Sequence, residues 1–220
     1  MKRIEISQII TQAAPDFRGL TISCRVVNSD SDKKLWEELD AEMCRFNDAY
    51  RVEDINKRLP IAANRQVYKI LGKDPNRYRP SAEALCRRIV KEKSLYRINT
   101  LVDLINLVSV HTGYSIGGFD EDRIDGELLT LGVGCAEEVF HGIGRGLLNI
   151  EGLPVYRDRT GGIGTPTSDE ERTKISLSTT HILVLINGYS GLCGLEEAGN
   201  YTVDLLVRYA QASDIEIKLY

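Results

Sequence analysis

Apolar side chains surround nearly the whole of one predicted helix, residues 101–112. Asn99 or Thr100 can cap its start, and Gly113 can end it in a left-handed conformation. Residues three positions apart share one face of a helix, and the polar positions fall on one such line: Asp103, Asn106, Ser109 and Gly113. The pattern therefore predicts a core helix with one polar stripe. That stripe either faces a pocket or ties down nearby loops through hydrogen bonds.

Period-two and period-3.6 patterns elsewhere predict an α+β fold, with a helical N-terminal half packed on a mixed, barrel-like or layered β-sheet. Most helices are expected before residue 113 and most strands after it. Predicted helices cover residues 35–50, two short segments within 52–71 broken at Pro60, 81–93 and 195–212. Predicted strands cover residues 3–6, 20–27, 114–118, 128–133, 153–157, 175–177, 181–186 and 215–219.

The composition suits one domain that spans residues 1–220, because 42% of the residues are hydrophobic. No apolar run approaches the roughly 18 residues of a membrane helix, and the first residues lack the apolar core of a signal peptide. The five cysteines are scattered, without a C-x-x-C pair. We therefore expect a cytoplasmic protein with free thiols and no membrane partner.

Charge is distributed unevenly along a chain whose net charge is -4. Residues 51–100 hold thirteen Lys or Arg against five Asp or Glu, a local charge of +8. This excess predicts either a phosphate-facing surface or a set of solvated helix faces. The candidate tRNA-binding side chains project from the predicted helix 81–93, and they are Arg87, Arg88, Lys91 and Lys93.

Motifs for metals and nucleotide cofactors are missing from the sequence. His111, His141 and His181 show no ligand spacing toward one another or toward a cysteine, so no metal is predicted. The glycines at 132 and 134 are followed by an acid at 137 instead of a third glycine, which argues against a dinucleotide loop. We expect no cofactor and no DNA partner, and the oligomeric state stays open.

Six residues of the central segment fall at the spacing of a known motif. Val102, Asp103, Asn106, Gly113, Phe119 and Asp120 match V-D-x-T-N-Y-x(5)-G-Q-P-x-H-A-F-D. This segment resembles the editing domain of the phenylalanyl-tRNA synthetase beta subunit, and residues 78–88 resemble the helix before it in stand-alone relatives. The resemblance is clearest over residues 78–220, whereas residues 1–77 form N-terminal strands and helices. The family Thr is Ile105 here, and the family His is Gly117.

The resemblance implies a pocket that hydrolyses an amino acid wrongly attached to tRNA. An oriented water polarised by Asn106 would attack the ester, and Asp158 or the acids at 169–171, with Glu170 as the candidate, would supply the base. Asp158 fits a turn-capping role equally well. The residues expected to contact substrate are Asp103, Ser109, Gly113, Gly117, Gly118, Arg159, Arg172 and Thr179.

Two functions follow from the resemblance. The first is trans-editing of mischarged aminoacyl-tRNA by a hydrolase that lacks a synthetase core. The second is a non-catalytic module that binds tRNA or an amino-acid-like ligand. Loss of the family Thr and His, at Ile105 and Gly117, favours the second function or a changed substrate.

Overall fold

The computed structural model describes residues 1–91 and 93–220, and this part of the chain forms six α-helices and ten strands. The helices are α1 (Gln8–Ala13), α2 (Lys33–Ala49), α3 (Leu59–Ile70), α4 (Ser81–Val90), α5 (Thr100–Thr112) and α6 (Leu195–Ala210). The strands are β1 (Arg3–Ile6), β2 (Arg18–Arg25), β3 (Ile116–Asp120), β4 (Leu128–Val133), β5 (His141–Gly142), β6 (Gly146–Leu147), β7 (Pro154–Arg157), β8 (Gly162–Gly164), β9 (His181–Gly188) and β10 (Ser213–Leu219).

The strands form two four-stranded sheets and one short hairpin. The first sheet has the order β10-β2-β9-β3 and is antiparallel throughout. The second has the order β1-β4-β7-β8, with β1 parallel to β4 and the other pairs antiparallel. Strands β5 and β6 form the hairpin. Within the described residues neither large sheet closes on itself, so the fold is layered and not a barrel.

Strand β9 lies between two layers of the core, and its composition reflects this position. Successive strand side chains point to opposite faces of a sheet. Ile182, Val184 and Ile186 join the apolar cluster formed with the helices, whereas Leu183 and Leu185 join the cluster formed with the second sheet. Both faces are buried, which explains the unbroken apolar run. Helices, first sheet and second sheet therefore form three layers, which confirms the predicted α+β class.

Helix α5 begins and ends where its sequence signals predict. The Asn99 side chain accepts a hydrogen bond from the Val102 amide at 3.0 Å, which caps the first turn. Gly113 follows the last turn with φ +87°, a conformation that glycine adopts without steric cost. The helix packs against α2, α4 and α6. It is therefore the core helix that its nearly continuous apolar surface indicates.

Three predicted elements differ from the structure. The helical segments within 52–71 break at Arg58 and not at Pro60, because Pro60 lies in the first turn of α3, where its missing N–H costs no helical hydrogen bond. Residues 175–177 form no strand, because the Ser176 amide donates to Thr179 Oγ1 at 2.9 Å and the Thr179 amide donates to the Ser176 carbonyl at 3.0 Å. These local bonds close a turn in competition with sheet pairing. The basic helix ends at Val90, before Lys93, and residue 92 lies outside the described residues. None of the described helices is both long enough and apolar enough to cross a membrane.

Candidate functional site

A pocket of about 410 Å³ opens beside helices α4 and α5 and the outer edge of β3. Its walls are mainly apolar, which suits a small organic ligand held by a few polar groups. The apolar lining residues are Leu85, Ile98, Val102, Ile105, Ile116, Ile143 and Ile175. The other lining residues are Ser81, Asn106, Ser109, Gly118, Thr165, Ser168, Asp169 and Lys174.

The polar stripe of α5 divides between this pocket and the core. Asn106 and Ser109 line the pocket. Asp103 is fully buried elsewhere, where its carboxylate accepts hydrogen bonds from Trp36 Nε1 at 2.7 Å and from the Ile98 amide at 3.1 Å. Within the described residues the Asn106 side-chain carboxamide forms no hydrogen bond with protein, so both its N–H donors and its oxygen acceptor remain available to a ligand.

Asp169 supplies the ionisable acid of the pocket. Its Oδ2 accepts a hydrogen bond from the Gly118 amide at 3.2 Å, on the edge of β3 that β9 leaves free. No Lys, Arg or His of the described residues forms an ion pair with it. Burial raises the pKa of Asp169 to about 7, although the Gly118 hydrogen bond opposes the shift. A carboxyl group with this pKa can take up and release a proton near neutral pH.

Two glycines of β3 determine the shape of the pocket floor. A Cβ on Gly118 would overlap the Ile105 side chain, so glycine at this position lets Ile105 pack directly on the strand and form a pocket wall. A Cβ on Gly117 would lie 2.7 Å from the Phe119 ring and 3.5 Å from Asp169 Oδ1. The Phe119 ring and the Asp169 carboxylate thus occupy the space toward which a side chain at 117 would point.

Asp158 lies outside the pocket lining and has a complete set of partners. Its buried carboxylate accepts hydrogen bonds from Arg172 at 2.8 and 2.9 Å and from the amides of Asp125, Thr160 and Gly161. Burial opposes ionisation of Asp158, but the Arg172 pair and the amide hydrogen bonds outweigh it and lower the pKa. We interpret Asp158 and Arg172 as a clamp on the turn after β7.

Glu170 and Thr179, which the sequence also places in the site, form hydrogen bonds with other protein groups. Glu170 accepts a hydrogen bond from the Arg172 amide at 2.6 Å and caps a short 3₁₀ turn. Thr179 donates to the Asp120 carboxylate at 2.8 Å. Neither residue lines the pocket, and the hydroxyl of Thr179 instead joins the loop before β9 to the end of β3.

Two further predicted contacts lie elsewhere on the molecule. Arg159 is exposed and pairs with Asp125 at 2.6 Å. Gly113 lies at the C-terminal end of α5, where a Cβ would be 3.3 Å from the Arg58 guanidinium. Of the residues proposed from sequence, the structure therefore brings Asn106, Ser109 and Gly118 to the pocket, with Gly117 directly behind it.

The basic residues around α4 divide into two pairs. Arg87 donates to the buried Glu83 carboxylate at 2.7 Å. Arg88 donates to the Ser94 carbonyl at 2.7 Å, and its guanidinium lies 4.0 Å from the centre of the Tyr96 ring. Lys91 and Lys93 are exposed. The two lysines are therefore the members of the set most accessible to a polyanion.

Several pocket residues gave no usable signal in the sequence. Asp169 belongs to a run of three acids, and no local pattern identifies which one faces a cavity. Its place in the pocket follows from a tertiary contact, the hydrogen bond donated by the Gly118 amide, which lies 51 residues earlier in the chain. Ile143 and Lys174 reach the pocket from loops with no periodic pattern. In the part of the chain that the structure describes, no three His, Cys, Asp or Glu side chains are placed to share a metal ion.

Comparisons with known proteins agree with this architecture. Residues 63–210 match the family model of the B3/4 domain. The structure is similar to an N-terminal fragment of the phenylalanyl-tRNA synthetase beta subunit from Pyrococcus horikoshii, with a TM-score of 0.50 and 13% sequence identity. The match covers 98% of this chain and 50% of that fragment. At this identity the likeness shows the fold alone. No curated protein matches the sequence.

Proposed function

Because this chain belongs to the B3/4 domain family, we propose that its pocket binds the aminoacyl end of a mischarged tRNA and hydrolyses the ester in trans. The observation that carries this proposal is Asp169, a pocket acid with a pKa of about 7 and no cationic partner among the described residues. Ester hydrolysis needs a group that accepts a proton from water and later returns it to the leaving oxygen.

The proposed reaction has two steps. Asp169 accepts a proton from a water molecule while the water oxygen bonds to the ester carbonyl carbon. The Asn106 amide donates a hydrogen bond to the carbonyl oxygen as negative charge develops on it. The tetrahedral intermediate then expels the ribose oxygen of the tRNA, and protonated Asp169 returns the proton to that oxygen. Amino acid and uncharged tRNA are the products, so no further reactant is required.

The pocket walls favour an apolar amino acid. Ile105, Ile116 and Ile175 surround the cavity with branched aliphatic side chains, which gain free energy by burying apolar surface. Lys174 also lines the pocket, and its ammonium pairs with Glu171 at 2.5 Å. We propose that this ammonium approaches the terminal phosphates of the tRNA.

A non-catalytic binding module is the second candidate function. The observation that favours it is the presence of Ile105 and Gly117 where the resembling motif has Thr and His. These replacements remove two polar groups, and one lost oriented donor typically lowers a rate by ~10²-fold or more. Such a module would use the same pocket and the same basic surface without turnover.

The test is a deacylation screen on a panel of mischarged tRNAs with the wild-type chain and two variants. Asp169→Asn should lower kcat/KM by roughly 10²-fold or more, the usual contribution of a general base. Glu170→Gln is the matched control, because this neighbouring acid lies outside the pocket and a Gln oxygen can still accept the Arg172 amide. It should stay near the wild-type rate.

Each other outcome of the screen has a defined meaning. Full activity in Asp169→Asn would refute the assigned role of Asp169. Loss of activity in Glu170→Gln alone would indicate that Glu170, the acid predicted from the sequence, is the general base. No hydrolysis by the wild type, together with saturable binding of tRNA or an amino acid, would select the binding module.

Binding of tRNA has its own test at Lys91 and Lys93. Reversing both charges to Glu should weaken tRNA binding and reduce the salt dependence of log Kd by about 1 per lysine, because fewer counterions are released. Lys33→Glu with Lys34→Glu is the control, since these exposed lysines lie on α2 outside the basic segment. Equal weakening in both double variants would indicate nonspecific electrostatic attraction and would contradict the assignment of Lys91 and Lys93 to the tRNA-binding surface.

A further inference from the structure

Strand β10 forms an open edge of the first sheet. It pairs with β2 on one side, and in the part of the chain that the structure describes no strand pairs with its other side. The opposite edge is different, because Phe119 of β3 bridges to Lys174 and the Gly118 amide bonds to Asp169. Residues 216–219 are exposed, and Ile217 and Leu219 expose 49% and 52% of their surface. We propose that β10 pairs with β10 of a second copy of this chain.

The alternation of hydrogen-bonded and non-bonded pairs between β10 and β2 leaves backbone N–H and C=O groups of β10 free to pair with another strand. Gly19 and Tyr220 exchange both of their backbone hydrogen bonds, at 2.9 and 3.0 Å. In antiparallel pairing such pairs alternate with pairs that are not hydrogen-bonded. Ile217 lies opposite Ile22, and Leu219 lies opposite Leu20, in the non-bonded phase. Their N–H and C=O groups therefore point away from β2, toward the open edge.

Charge selects one register for a pair of β10 strands. An antiparallel pair centred on Ile217 places the two Ile217 residues opposite each other and exchanges two hydrogen bonds between them. The same register places Glu216 of each copy opposite Lys218 of the other, which forms two ion pairs. The smallest shift that keeps the same backbone groups facing each other slides one strand by two residues. In one direction this shift places Glu216 opposite Glu216, and in the other it places Lys218 opposite Lys218. Like charges in those positions repel.

Both charged groups are available for this pairing. Lys218 is exposed and forms no ion pair within the described residues. Glu216 is 58% exposed, and one carboxylate oxygen lies 3.1 Å from the N-terminal ammonium. Ile217 and Leu219 lie on the opposite face, beside Ile22 and Leu20. The register therefore covers apolar surface on one face and pairs opposite charges on the other, and it joins two sheets into one of eight strands.

A charge-swap series on the full chain tests this pairing by sedimentation velocity across the micromolar range. The wild type should show a concentration-dependent equilibrium between monomer and dimer. Glu216→Lys alone, or Lys218→Glu alone, should raise the dimer Kd by about tenfold or more, because each creates two like-charge pairs. The double variant Glu216→Lys with Lys218→Glu restores opposite charges and should return the Kd to near the wild-type value.

Ile217→Pro provides an independent test, because it removes an outward N–H that β2 does not use. It should be monomeric and should retain the far-UV circular dichroism of the wild type. A wild type that is monomeric at every concentration would overturn the proposal. So would a dimer that is insensitive to the single charge reversals, or a double variant as weak as the single ones.

Discussion

Asp158 and Asp169 are both acids in loops of the second half of the chain, and their surroundings are opposite. Asp158 accepts hydrogen bonds from one guanidinium and three backbone amides. Asp169 accepts one amide hydrogen bond and forms no ion pair in the described part of the chain. The pKa of Asp158 is lowered, whereas burial raises the pKa of Asp169 to about 7. Burial raises the pKa of both acids, so the number and charge of the hydrogen-bond partners decide the direction of the net pKa shift.

This difference separates an acid that maintains the fold from one suited to chemistry. The Asp158 carboxylate is satisfied by protein, and a substrate has little to add. Asp169 faces a cavity with spare acceptor capacity and a proton affinity near neutral pH. Perturbed acids in pockets are candidate functional groups for this reason.

The largest expected effect is on stability at Asp158. Asp158→Ala should lower the free energy of unfolding by about 3–5 kcal/mol, because it leaves Arg172 and three amides without their acceptor. Urea denaturation at pH 7 measures the change. Asp54→Ala is the control, since it removes only an exposed pair with Lys57 and should change little.

The Asp158 contribution also has a defined pH dependence. Because the folded pKa is below the unfolded value, the contribution is present above pH ~4 and is lost as the pH falls through the folded pKa. A wild type and an Asp158→Ala variant of equal stability at pH 7 would contradict the clamp.

The second effect concerns the pH dependence of the proposed hydrolysis. If Asp169 acts as the base, kcat/KM should rise about tenfold per pH unit below its pKa of about 7 and level off above it. The rate at pH 5 should thus be roughly 100-fold below the plateau. Rates without protein are subtracted at each pH, because aminoacyl esters also hydrolyse spontaneously. A plateau that extends down to pH 5 would rule out Asp169 as the titrating base.

The smallest expected effect is the gain in folding stability when Asp169 is replaced by Asn. Folding raises this pKa from 3.8 to about 7, so the folded state binds the proton more tightly and wild-type stability falls as pH rises between those values. Asp169→Asn has no charge to bury and should be more stable than the wild type by about 1–3 kcal/mol at pH 8, with the difference shrinking toward pH 4. Thermal unfolding at both pH values measures it. A variant less stable than the wild type at pH 8 would show that the Asp169 carboxylate is stabilising, as at Asp158.

Helix α5 was predictable because its signals are local. The Asn99 cap, the apolar run and Gly113 act within a few residues of one another, and each operates in the structure as expected. Strand β9 was predictable for a related reason, since an unbroken apolar run is typical of a strand buried on both faces. Residues 175–177 alternate apolar and polar side chains as a strand does, but the Ser176 and Thr179 hydrogen bonds form a turn that a period-two pattern does not reveal.

The chain alone determined that α5 lies in the core and carries a polar stripe, because helical periodicity is set by the backbone itself. Tertiary structure decided where each member of the stripe faces. Asp103 meets Trp36, 67 residues away in the chain, whereas Asn106 and Ser109 open into the pocket. Tertiary structure also determined which acid forms an ion pair, because Arg172 pairs with Asp158 and no described residue forms an ion pair with Asp169. Proton affinity depends on which groups the fold brings within a few ångströms, and residues distant in sequence supply them.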